Sequence, residues 1–98
     1  MFLKIHKSYR DVVAICDSDL IGKRFEEGKF QLDIKESFYK GDEVSEERAI
    51  FLLKKISRED ATFNIVGKNS VKVAIQAGII EKEAVSEVQD VPFALLLL

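Results

Sequence analysis

Between Phe2 and Lys7 the chain alternates apolar and polar positions, "FLKIHK", and at 11–16, "DVVAIC", it becomes almost wholly apolar. Both runs read as strands, and the short polar link between them predicts a hairpin. With the turn centred on Tyr9 and Arg10, Ile5 faces Ala14, Leu3 faces Cys16, and His6 lies across from Val13 on the opposite face. "DSDLIGKRF" follows. Asp17, Ser18 and Asp19 suit a turn or a helix cap, and Leu20, Ile21 and Phe25 anchor one short helical turn. After Gly28, "KFQLDIK" sets Phe30, Leu32 and Ile34 against Gln31 and Asp33, the alternation of a half-buried strand.

"ESFYKGDEV" reads as a loop around Gly41. The period then changes. Ala49, Leu52, Leu53 and Ile56 recur at helical spacing, Ser45 stands at the N-cap, Glu46 and Glu47 sit in the first turn, and Lys54, Lys55 and Arg58 gather at the other end. "ATFNIVG" predicts a short buried strand, and a second helix follows it, capped by Asn69 or Ser70. Val71, Ala74, Ile75 and Gly78 line one side of that helix, with Gly78 as its terminator. "AVSEVQDV" reads as a weak strand or loop. Pro92 opens a final strand, "FALLLL", whose composition predicts burial on both faces. The order of elements predicts one α+β domain over 1–98. Its mixed sheet has four to five strands and an N-terminal β-hairpin, and its two main helices pack on one face.

Length and composition narrow the chemistry. At 98 residues, 47% hydrophobic and 33% charged, the chain has enough material for one core without staples. A single cysteine excludes an internal disulfide and fits a reduced, cytoplasmic setting, and one histidine with one cysteine cannot build a Cys/His zinc site. A net charge of −2 and a pI near 5.4 argue against a dedicated nucleic-acid binder, though not against a local basic face. Lys4, His6, Lys7 and Arg10 break any signal-peptide pattern, and "FALLLL" is far too short to cross a bilayer, so no membrane role is expected.

The segment "NIVGKNS" resembles a phosphate-binding loop but departs from Gly-x-x-x-x-Gly-Lys-Ser/Thr. Thr62 stands at the first glycine position, and Asn69 separates Lys68 from Ser70. What survives is a helix N-terminus with Gly67 and Lys68 beside it, able to hold one anion, set against the plainer reading of a turn and a cap. Cys16 with His6 as its base is excluded by the hairpin. The two fall on opposite faces, roughly three residues or about 10 Å apart. Asp17, Asp19, Asp42, Glu43, Glu46 and Glu47 more simply start turns and offset a helix dipole than bind magnesium. Lys23, Arg24 and Lys29, and separately Lys54, Lys55, Arg58, Lys68 and Lys72, are candidates for a basic face, with Glu26, Glu27, Glu59 and Asp60 interspersed.

Taken together, "VVAICDSDLIGKRF" at 12–25, "FQLDIKESFYKGD", "NIVGKNSVKVAIQAGII" at 64–80 and the closing "VPFALLLL" resemble an archaeal family of small proteins known as a domain of unknown function, family 424. The resemblance runs nearly end to end. It implies a soluble intracellular protein with no assigned activity and supplies no catalytic residues. Cys16-Asp17, Gly22 and Asn64-x-x-Gly67 are where it is recognisable.

The expectation is a non-enzymatic interaction module, a monomer or homodimer without cofactor or metal, that docks on a protein or on RNA–protein, translation-related machinery. The alternative is an anion- or small-ligand-binding protein, or a minor enzyme, built on the loop at 64–70. Asp17, Asn64, Gly67, Lys68, Ser70 and Lys72 are the candidate contacts in either case.

Overall fold

The fold, seen in a computed structural model that describes residues 1–97, is built round two parallel strands. β1 (Phe2–His6) and β2 (Asp11–Cys16) form the predicted hairpin. A 3-10 turn (Ser18–Leu20) leads to β3 (Arg24–Glu27) and β4 (Phe30–Asp33), which pair only with each other. One helical turn, α1 (Glu36–Tyr39), precedes the short edge strand β5 (Asp42–Glu43). Then come α2 (Glu46–Ile56), β6 (Ala61–Val66), α3 (Lys68–Gln76), β7 (Ser86–Val88) and β8 (Val91–Leu97).

The main sheet has the order β5-β1-β2-β6-β8-β7. Only β2 and β6 are parallel, and they are its two central strands. That explains their near-continuous apolar sequences, since both of their faces need cover. The main sheet has six strands rather than the four to five expected: β5 falls in a segment read as a loop and β7 in one read as a weak strand or loop, while the strand expected at "KFQLDIK", β4, pairs with β3 outside it.

The first face carries α2 and α3. Val13, Ile15, Phe63, Ile65 and Leu53 are fully buried there, with Ala49, Val73 and Ala74 from the helices. Each large side chain contributes about 1.5–3 kcal/mol by leaving water. α2 forms as its spacing predicts, with the Ser45 hydroxyl accepting from the Arg48 amide at 3.1 Å. α3 closes in a Schellman turn. The Gly78 amide donates to Ile75 and the Ile79 amide to Ala74, with Gly78 at φ +75°.

The second face is covered by the segment between β2 and β5. Ile34, Tyr39, Phe25, Leu32 and Phe38 pack on Phe2, Ala14, Cys16, Val66 and Phe93. Here the structure corrects the sequence reading. Residues 24–27 are extended rather than helical, because Phe25 pairs with Leu32. "ESFY" is helical, too short for its period to register. β8 is an internal strand, but Leu95 is 63% exposed, so the burial predicted on both faces fails. The cover reaches the Phe93 end of the strand and stops short of Leu95. Leu98, also part of that expectation, lies outside the described residues.

The hairpin register is one residue off the expected one. Ile5 pairs with Val13, Leu3 with Ile15 and His6 with Val12. The turn centres on Tyr9 rather than between Tyr9 and Arg10.

Candidate functional site

The carboxyl ends of β2 and β6 meet at the amino end of α3, and Asp17 lies in the seam. Its amide donates to the Val66 carbonyl at 3.1 Å, which continues the ladder one residue past Cys16. Its carboxylate turns under the helix. Oδ2 accepts from the Asn69 amide at 3.0 Å, and Oδ1 accepts from both the Ser70 amide and the Ser70 hydroxyl at 2.8 Å. Asp17 and Ser70 are both buried. A negative group at that end also meets the positive end of the helix dipole. The helix is therefore capped neither by Asn69 nor by Ser70 acting as acceptor, as local pattern suggests, but by a residue from a different strand.

Gly67 makes this possible. Its φ of +108° is a conformation that side chains avoid, and a Cβ there would lie 2.4 Å from the Asp17 carboxyl carbon. So the anchor of the phosphate-loop resemblance is a glycine that leaves room for a carboxylate of the same chain. Asp17 occupies the place where an anion would sit.

Two clefts flank the seam. One, of about 460 Å³, has Asp17, Asp19 and Glu46 in its walls. The other, of about 200 Å³, has Asp17, Asp19 and Asp90 against the single cation Lys68. Both repel anions. Among the described residues, no group of three or more His, Cys, Asp or Glu is arranged to hold a metal ion.

Of the six candidate contacts, the structure brings Asp17, Gly67 and Ser70 together, with Lys68 exposed at their margin. Asn64 stands apart, half-buried in mid-β6 between Ala14 and Leu95. Lys72 is exposed on α3, with its Nζ 3.9 Å from a Glu46 carboxylate oxygen.

Cys16 and His6 need a corrected argument. In the observed register they share the second face, so the expected separation by face fails. They are still not partners. Cys16 pairs with Phe2 and His6 with Val12, four positions away along the strand, or about 13 Å. His6 is half-buried. Its Nε2 donates to the Phe38 carbonyl at 2.8 Å and its ring stacks on Phe38, which pins α1 to β1. The Cys16 thiol is fully buried, and burial, then the Asp17 charge, pushes its pKa up to about 11. It is a poor nucleophile at neutral pH.

A further group of residues lies on α2, away from the seam. Arg48, Phe51, Lys54 and Lys55 occupy the exposed side of the helix, opposite the buried Ala49, Leu53 and Ile56, and Arg58 stands exposed in the turn just beyond it. Phe51 is 56% exposed, with the Arg48 guanidinium 5.4 Å from its ring centroid. A crevice of about 400 Å³ runs between Phe51, Lys54, Lys55 and Arg58. The sequence reading marked three of these cations and missed Arg48 and Phe51. The signal was their spacing, since 48, 51 and 55 fall on one helical face. Lys68 and Lys72 do not extend this patch. Ser45, Glu46 and Asn69 share one cleft, so the amino ends of α2 and α3 lie together and Lys54, Lys55 and Arg58 sit at the opposite end.

No helix among the described residues is long and apolar enough to cross a membrane. No curated protein gives a significant match. The crystal structure of an uncharacterized conserved protein from Methanopyrus kandleri is similar, with a TM-score of 0.84 and 26% sequence identity over 97% of this chain and 88% of that one. The family model described as "Protein of unknown function (DUF424)" matches residues 6–98, and the chain belongs to that family.

Proposed function

We propose that this protein is a non-enzymatic docking module that engages RNA, as part of an RNA–protein assembly, through the exposed face of α2. The observation that carries this reading is an exposed phenylalanine set among four cations. A phosphate backbone is held by Lys and Arg, and an exposed ring offers a base something to stack on. Among the described residues, none of Arg48, Lys54, Lys55 or Arg58 has a carboxylate within 4 Å, whereas Lys72 faces Glu46 and Arg24 pairs with Glu26. The net charge of −2 does not oppose this, because the crevice beside Phe51 is lined by three cations and no acid. The ligand and enzyme alternative at 64–70 is the weaker one. Its Asn69 and Ser70 amides donate to Asp17 and its Gly67 amide to Pro92, and the thiol and imidazole lie far apart.

The test is fluorescence anisotropy with a labelled single-stranded uridine oligonucleotide, across a range of salt. The parent should bind at low salt. Arg48→Glu with Lys55→Glu and Arg58→Glu should lose more than about tenfold in affinity, and the salt slope should fall by about 2. Phe51→Ala should weaken binding without changing that slope, while Lys68→Glu with Lys72→Glu should leave it unchanged. A triple variant that binds as tightly as the parent, or a parent that does not bind at about 50 mM salt, would end the proposal.

A further inference from the structure

α3 presents a different surface on its side toward β7. There a groove of about 430 Å³ runs between the helix and the segment that leads into β7. Its floor is aliphatic. Val71 and Ile75 come from successive turns of α3, and Val85 faces them from the other wall. Ile75 is 37% exposed, an unusual place for an isoleucine on a helix with so much buried surface. Cations stand on both walls, Lys68 and Lys72 on the helix and Lys82 opposite. The one carboxylate lining the groove is Glu87. Among the described residues, Lys68 and Lys82 have no carboxylate within 4 Å. The Lys72 pair with Glu46 is long and half-exposed on both sides, so it holds Lys72 weakly.

We propose that this groove docks an acidic segment of a partner protein, one that places one or two branched aliphatic side chains on Val71, Ile75 and Val85 and its carboxylates on Lys68, Lys72 and Lys82. Charge complementarity selects the occupant. Three lysines, of which Lys68 is shared with the acidic cleft beside Asp17, stand against one glutamate and favour an anionic chain, and a floor of valine and isoleucine favours leucine-like side chains over bases, since it contains no ring on which a base could stack. The surface is separate from the α2 face and does not depend on it. An RNA contact on α2 and a protein contact beside α3 would let a small domain join the two.

The experiment uses the full chain, isotope-labelled, and a short synthetic peptide in which leucines at helical spacing are flanked by aspartate and glutamate. Amide shifts should move at Val71, Lys72, Ile75 and Val85. Ile75→Asp, and separately Lys68→Glu with Lys82→Glu, should each weaken binding by about tenfold or more. Ile75 is partly exposed and the lysines are exposed, and each variant's amide spectrum reports whether it remains folded. Three results would overturn the proposal: no shift at these amides at about 1 mM peptide, equal binding of a peptide with its leucines changed to serine, or displacement of the peptide by the uridine oligonucleotide from these same amides.

Discussion

Asp17 and Ser70 are the buried polar residues among those described, and they are bonded to each other. Removing one should cost more than an ordinary cap. Asp17→Ala deletes the acceptor for two helix amides and leaves the Ser70 hydroxyl buried without its partner, a loss of about 3 kcal/mol in urea unfolding. Gly67→Ala should cost a similar amount, partly from φ and partly from collision with the carboxylate. The second part needs Asp17. The double variant should therefore be more stable than the sum of the single losses implies, by about 1 kcal/mol or more. Strict additivity would mean that the two residues do not share the packing described.

At the scale of elements, the β7–β8 hairpin turns on Gln89 and Asp90, both left-handed at φ 49° and 66°. That geometry favours Asn-Gly. Replacing the pair should raise the denaturation midpoint by the equivalent of about 0.5–1 kcal/mol. The segment between β2 and β5 behaves differently. β3 and β4 bury little of themselves and pack on the second face through Phe25 and Leu32, while the buried anchors of the segment, Ile34 and Tyr39, lie beyond them. The β3–β4 hairpin should open without the rest of the fold, so that in native-state hydrogen exchange the Phe25 and Leu32 amides exchange at lower free energy than those of Ile15 and Ile65. Equal values would make it part of a single cooperative unit.

The same contrast explains what could be read from the sequence. α2 was legible with its cap, its apolar stripe and its charged ends, because every determinant lies within thirteen residues of chain, Ser45 to Ser57. The terminator of α3 was legible for the same reason. Its cap was not, because the capping carboxylate is 53 positions from Ser70. β3 and β5 were illegible because pairing, not periodicity, makes them strands. The candidate site was legible as a cluster of names (Asp17, Gly67 and Ser70 do meet), while its chemistry was not. Nothing local in "NIVGKNS" says that the anion is already supplied.

At the scale of the whole molecule, the two groups whose pKa values move most both titrate in the alkaline range. Burial pushes the Cys16 thiol from 9.0 to about 11, and burial, with the thiol beside it, pushes the Tyr39 phenol from 10.0 to about 12. Folding thus favours the protonated form of each. Above about pH 9 the unfolded chain gives up the Cys16 proton while the folded chain keeps it, so stability should decline from there. The decline should steepen past pH 10 as Tyr39 joins, and level off only as the folded state itself ionises. Cys16→Ala should delay its onset to the tyrosine range. Consistent with this, iodoacetamide should alkylate Cys16 in urea and leave the native protein untouched at pH 8, where the thiol is both enclosed and neutral.

The carboxylate under α3 is, in effect, a tethered counter-ion, and tethers can be cut. With Asp17 shortened to alanine, the vacated socket would present two amides and a hydroxyl at a positive helix end, the right lining for a small free acid. Added formate should then restore part of the lost stability to that variant and do nothing for the parent, whereas an equal concentration of chloride, spherical and unable to bridge the donors, should restore less. A protein whose fold has closed its own anion site would in that way recover, through one truncation, the binding capacity that its sequence first suggested.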